Sequence, residues 1–241
     1  MALSLRSVGA TLSGPFGTMS SNLKNRLAPE GGRKFMKSKK LLMPTYLLAL
    51  VYVSGCAGIQ AAGDVQAGRN ALHTGRPHDA VSYFVRGAEV DPSYKIPYRI
   101  PVGVLTYLGR AYYETGRDEE ARKALEKAVS LNKDDSLAHL YLGLALLRTG
   151  DRDRGRKEIE GGLNDIHETL EYIASDNIYG MFWDPTRMIR TDIEKTLAGK
   201  LDDSQLAVAA VRIGTNFEEE IDKARRDESL SRRGGGDGSG N

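Results

Sequence analysis

The sequence predicts an all-α chain: about three helical hairpins stacked as a solenoid, closed by a helical C-terminal extension. Three observations predict it. Residues 102–135 carry Leu105, Leu108, Gly109, Tyr112, Gly116, Ala121, Leu125, Ala128 and Leu131, and the skeleton returns 34 residues later, with Gly143 for Gly109, Gly150 for Gly116 and Ile159 for Leu125. A fixed period in this range belongs to stacked repeats. Apolar residues recur at helical spacing on both sides of each glycine corner, as in Leu105, Leu108, Tyr112 and then Ala121, Leu125, Ala128. Beyond the repeats, two more stripes at helical spacing follow, Met188, Ile189, Ile193, Leu197 and then Leu206, Ala210, Ile213, Phe217, Ile221, Ala224.

Taken in order, the chain starts with a segment outside this plan. Residues 1–35 are Gly/Ser-rich with scattered charge, and they precede a complete leader that has its own methionine, Met36. The expected start is therefore Met36, with 1–35 a disordered extension ahead of it. Residues 36–55 read as a secretory signal: Met36-Lys-Ser-Lys-Lys, the apolar run 41–53, and small residues before a cut. The apolar core is short for a membrane span and contains Pro44. Val53-Ser54-Gly55-Cys56, holding the sole cysteine, resembles the bacterial lipobox. That resemblance implies cleavage before Cys56 and acylation of its thiol, palmitate included, with up to three chains anchoring the protein to a bilayer. Ala57 after the cysteine, by analogy with lipoproteins of diderm bacteria, implies the outer membrane facing the periplasm. The alternative is an uncleaved signal anchor.

Charge separates the leader from the rest. Residues 1–55 hold 8 Lys/Arg and 1 Asp/Glu, so 26 of the 34 basic and 31 of the 32 acidic residues fall from Cys56 onward. The net charge of +2 is thus a property of the leader, and the remainder is acidic. Nucleic acid is excluded as an expected partner on this ground. A single cysteine permits no intramolecular disulfide.

A tether, 56–62, leads into the repeat region, 63–175. In the first repeat an opening helix over about 63–74 ends at Gly75, Pro77 suits the first turn of the next helix, and Ala80, Phe84 and Ala88 form its stripe. Gly75 to Gly116 is one period plus seven residues, 95–101, whose two prolines forbid a helix. Tyr98 and Arg99 on it are either a binding loop or part of a spacer. In the second repeat Gly116 suits the left-handed residue ending a helix, and Asp118 caps the next, with Glu119 and Glu120 near its positive end. In the third, Gly155 and Gly162 stand where Ala121 and Ala128 stand one period earlier, which close helix packing explains. The stripe Leu163, Ile166, Leu170, Ile173 lets that helix run on.

The 34-residue period with these residues resembles the tetratricopeptide (TPR) helical hairpin. The resemblance implies an α-solenoid that binds another protein, its identity open, along a concave groove formed by the first helix of each hairpin. On that face the positions would be Arg69, then Thr106, Arg110 and Tyr113, then Leu137, Leu140, Leu144 and Leu147. Some TPR proteins hold a peptide carboxylate with paired Lys and Asn there; that constellation is missing, and Arg69 and Arg110 are the basic candidates. The leucines suit either an apolar segment of a partner or the chain's own C-terminal helix.

The extension spans 176–228 and the tail 229–241 is expected to be disordered. Asp184-Pro185 reads as a helix start, with a helix to about Ala198 and another over about 204–227. Phe182 and Trp183 either pack the extension on the last repeat or form an aromatic hook for a partner. The acidic run Glu218-Glu-Glu-Ile-Asp222 reads as a solvated face. No catalytic constellation is found. His73, His78, His139 and His167 are scattered, no P-loop or dinucleotide fingerprint is present, and no metal or cofactor is expected. The implied protein is a membrane-anchored, non-enzymatic scaffold of the cell envelope, in secretion, pilus or outer-membrane protein biogenesis; the alternative is a periplasmic ligand- or cell-wall-binding module with a self-filled groove.

Overall fold

A computed structural model describes residues 42–175 and 180–234, with side chains from residue 58 on. The expected extension 1–35, the lipidation of the Cys56 thiol and the end of the tail lie outside the described residues. Apart from the first two residues of the first helix, everything below belongs to one unit, Pro44–Asn241.

Six helices form three consecutive hairpins: α1 (Leu42–His73) with α2 (Pro77–Val90), α3 (Val104–Glu114) with α4 (Asp118–Leu131), and α5 (Ser136–Thr149) with α6 (Arg152–Ala174). A 3-10 turn (Gly180–Phe182), α7 (Met188–Ala198) and α8 (Asp203–Gly234) follow. No strand is present among the described residues, only an isolated antiparallel bridge between Lys95 and Gly103. The fold is the all-α solenoid with a helical extension that the periodicity predicts.

The corners obey one rule. Each hairpin turns at Thr-Gly, with Gly75, Gly116 and Gly150 at φ of +69°, +73° and +95°. The amide after the glycine reaches back to close the helix, as from Arg117 to the Tyr112 carbonyl at 2.9 Å, and the threonine hydroxyl donates to the carbonyl four residues back. The hairpin interiors share a register as well. A Cβ on Gly68, Gly109 or Gly143 would fall 2.3–2.7 Å from an atom in the partner helix, and the large residue met in each case is 16 positions on: Phe84, Leu125 and Ile159. In the third hairpin the approach is backbone on backbone, with the Gly155 carbonyl 2.5 Å from where a Gly143 Cβ would sit. Helix α5 is apolar all round and forms the centre of the core, with Leu137, Leu140, Tyr141, Leu142, Leu144 and Leu146 buried.

Three boundaries differ from expectation. α1 is a single helix that runs through the expected tether. α7 starts at Met188 rather than at Pro185: Asp184 caps it from outside, accepting from the amides of Ile189 and Arg190 at 3.1 Å each, while Asp184 and Arg187 take left-handed conformations in the turn. α8 continues to Gly234, past the expected onset of a disordered tail at Ser229. Local pattern ends where polar residues take over; a helix with one buried side continues as long as its backbone bonds are made.

Candidate interaction groove

The first helices of the three hairpins, α1, α3 and α5, lie side by side and present one face to α8. α8 enters beside the third hairpin: Arg156 on α6 donates to Asp203 at 2.8 Å and to the Leu201 carbonyl at 3.0 Å. It then crosses α5, where a Cβ on Gly214 would approach Leu140 Cδ2 to 3.0 Å. Further on it meets α3 through Glu218 and α1 through Asp222. Its apolar side, Leu206, Ala210, Ile213, Phe217, Ile221 and Ala224, is buried. The groove face is occupied by the chain's own last long helix.

Charge is built into this contact. Arg110 Nη1 meets Glu218 Oε2 at 2.5 Å, and both residues are more than nine-tenths buried. Arg110 Nε also donates to Glu114 at 2.7 Å. Arg69 Nη2 donates to Asp222 Oδ2 at 2.6 Å, with His73 Nε2 3.4 Å from the same carboxylate oxygen. Burial works against the charge of both arginines, but the facing carboxylates, Asp222 and Glu218 for Arg69 and Glu218 and Glu114 for Arg110, hold them protonated. Tyr107 and Tyr141, one period apart, lie between these pairs. The Arg69 guanidinium is 5.4 Å from the Tyr107 ring and the Arg110 guanidinium 5.7 Å from the Tyr141 ring. Burial pushes both phenols far up, and the negative charge of Glu218 adds to it, so they stay neutral.

At the far end of α8 the insertion loop joins in. Tyr98 stacks on Trp183 with ring centroids 6.1 Å apart, the Trp183 indole donates to Glu228 at 3.0 Å, and Arg99 lies 3.6 Å from the same carboxylate. Burial and Glu228 push the Tyr98 phenol up to about 12, against the pull of Arg99 and Arg225.

The predicted groove residues separate into three groups. Arg69, Arg110 and Leu140 do face α8. Thr106 instead donates to Asp135 at 2.7 Å, and that buried carboxylate also accepts from Gly103 and caps α5 at Ala138. Burial raises the Asp135 carboxyl, while these hydrogen bonds act the other way. Tyr113 is buried under Arg148, whose guanidinium lies 3.5 Å from its ring centroid, and Leu147 packs on Gly155 of α6. Leu137 and Leu144 are buried in the core around α5. Trp183 is fully buried and Phe182 half-buried against the core, so the indole is packed inside rather than held out as a hook.

Glu218 and Asp222 need correction: the acidic run is no solvated face, since its i and i+4 members point into the groove. Tyr107 and Tyr141, one 34-residue period apart, are groove residues that the predicted set lacks. The spacing of Arg69 and Arg110 equals that of Gly75 and Gly116, so both arginines hold the same place in successive repeats.

One cluster has metal-ligand composition. His167, Glu171 and Glu194 offer ligand atoms within 4.8 Å of one another. Arginines already use it: Arg187 meets Glu171 at 2.6 Å and Glu194 at 3.4 Å, and Arg190 meets Glu171 at 3.2 Å. Arg187 and Arg190 lower the Glu171 carboxyl, and a cation there would have to displace them. From residue 58 on, no helix among the described residues is long and apolar enough to cross a membrane.

Residues 109–150 match the TPR repeat family. The match starts at the close-packed Gly109 and ends at the left-handed Gly150, taking in the second half of α3 and all of α4 and α5. A TPR repeat suggests a protein–protein interaction module. A comparison with curated proteins finds no match.

Proposed function

We propose that the chain is a membrane-anchored, non-enzymatic scaffold for protein–protein interaction in the cell envelope, acting in secretion, pilus or outer-membrane protein biogenesis. Acylated Cys56 is the anchor in this reading, and the outer membrane facing the periplasm is the location. One observation carries the interaction role: next to a TPR match, the first helices of three hairpins form a groove that holds an amphipathic helix by one buried Arg–carboxylate pair, Arg110–Glu218, and one part-buried pair, Arg69–Asp222. Support for the anchor comes from the sequence, the basic and apolar leader ending at Val53-Ser54-Gly55-Cys56.

Crosslinking in native membranes with mass-spectrometric mapping tests the scaffold role; crosslinks to one protein, reproduced across preparations, are expected. Labelling with an alkyne fatty acid tests the anchor. Wild type should take up the label and Cys56→Ser should not; equal labelling of both removes Cys56 from the reading. The occupancy of the groove by α8 favours a second reading, a ligand- or cell-wall-binding module that uses another face. Retention on purified peptidoglycan with no protein crosslink would select it.

A further inference from the structure

We propose that the groove of α1, α3 and α5 is an acceptor for an acidic amphipathic helix supplied by a partner protein, and that α8 is its resident, exchangeable occupant. The inference rests on the scaffold reading and adds the partner's chemistry. α8 itself specifies that chemistry: two acids four residues apart, the buried Glu218 and the part-buried Asp222, beside the buried Phe217 and Ile221. Arg69 and Arg110 hold equivalent places in successive repeats, so the groove sets the spacing of the two carboxylates it accepts. A helix with apolar residues there would leave Arg69 without its carboxylate and Arg110 with Glu114 alone, a cost of several-fold in affinity.

The contact with α8 also differs from a permanent one. Among the described residues four buried side-chain atoms lack a hydrogen-bond partner of good geometry: Arg69 Nε, Tyr98 Oη, Tyr141 Oη and Glu218 Oε1. Arg69, Tyr141 and Glu218 lie in the contact between the groove and α8, and Tyr98 at its far end. An incompletely satisfied polar seam contributes less than an apolar one of equal area, and a helix that pairs these atoms better replaces the resident. α8 is held at its start independently of the groove, by Arg156 of α6, which donates to Asp203 at 2.8 Å and to the Leu201 carbonyl at 3.0 Å. Release of its middle and end therefore leaves it attached.

The test uses a fluorescein-labelled peptide of residues 203–234 added to the full chain in detergent. Wild type should bind it weakly, because its own α8 competes. A chain carrying Glu218→Ala and Asp222→Ala should bind it at least about tenfold tighter, since the open fraction rises. A peptide carrying Glu218→Gln and Asp222→Asn should lose that gain, and so should a chain with Arg69→Gln and Arg110→Gln added. No binding to the weakened chain while its helicity is intact, or equal binding of both peptides, overturns the proposal. Hydrogen exchange on wild type guards against variants that do not fold: α8 amides should exchange through an opening that leaves α3 to α6 protected. Exchange of α8 only together with α5 overturns the proposal. Failure of exchange with partner crosslinks retained elsewhere overturns the acceptor groove and leaves the scaffold reading standing. Peptide exchange without any partner crosslink supports the groove and overturns the scaffold reading.

Discussion

The interior of the third hairpin and the seam between the groove and α8 are both buried, and they are built on opposite principles. Between α5 and α6 small residues bring two backbones together, with the buried, apolar Ile159 against Gly143 and the His139–Glu158 pair at the part-exposed edge. Across the seam, arginine, tyrosine and carboxylate side chains meet at similar burial, paired but incompletely bonded. Apolar close packing favours a contact through the area it removes from water and accepts any residue of the right volume. A buried ion pair adds little over an apolar pair of the same shape, yet it penalises an occupant of the wrong charge. The hairpin is therefore the stable part and the seam the selective one.

Removing one member of the seam should have the largest effect. Arg110→Met leaves the Glu218 carboxylate buried without its partner and should cost about 3–5 kcal/mol in urea unfolding. Adding Glu218→Met should return most of that loss and can raise stability above wild type, whereas a double variant as unstable as the single one would make the ion pair a true source of stability. In the hairpin, Ile159→Ala should cost about 2–5 kcal/mol with no second-site apolar swap that restores it. Gly116→Ala, at φ +73°, should cost about 1–2 kcal/mol, because a Cβ is disfavoured in that conformation whatever its neighbours.

The smallest effect concerns pH. His139 Nδ1 contacts Glu158 at 2.7 Å and Nε2 contacts the Lys133 carbonyl at 3.0 Å, two acceptors that only the doubly protonated ring satisfies. Burial opposes that charge, but the hydrogen bond to Glu158 prevails and the folded pKa lies above the ordinary 6.5. The contribution is thus complete below the unfolded value and lost as pH rises through the folded one. The unfolding midpoint should fall between about pH 6 and 8 in wild type. In His139→Gln that slope should flatten, and an unchanged slope would remove His139 as its source.

Hairpin, corner and stripe were legible because each is a local decision. A left-handed residue after a helix calls for glycine, so Gly75, Gly116 and Gly150 mark the turns without reference to anything distant. Close helix approach calls for small residues, so Gly155 and Gly162 repeat the places of Ala121 and Ala128. The same signals bring Arg69, Arg110 and Leu140 to the groove and Tyr113 edge-on against Tyr141, but Thr106 and Leu147 turn towards neighbouring elements. Pattern along one helix locates its apolar side; it does not assign that side among three packed neighbours.

By itself, then, the sequence determined an all-α repeat with its corners, its hairpin pairing and an amphipathic extension, all set by interactions within one period. Only the tertiary structure decided that α8 fills the groove. Asp222 meets Arg69 across 153 residues of chain, and a Glu on a polar helix face is exposed unless a distant cation accompanies it into the interior. That cation becomes visible only when the chain has folded back, because ion pairing, unlike helical period, leaves no spacing in the sequence to be read.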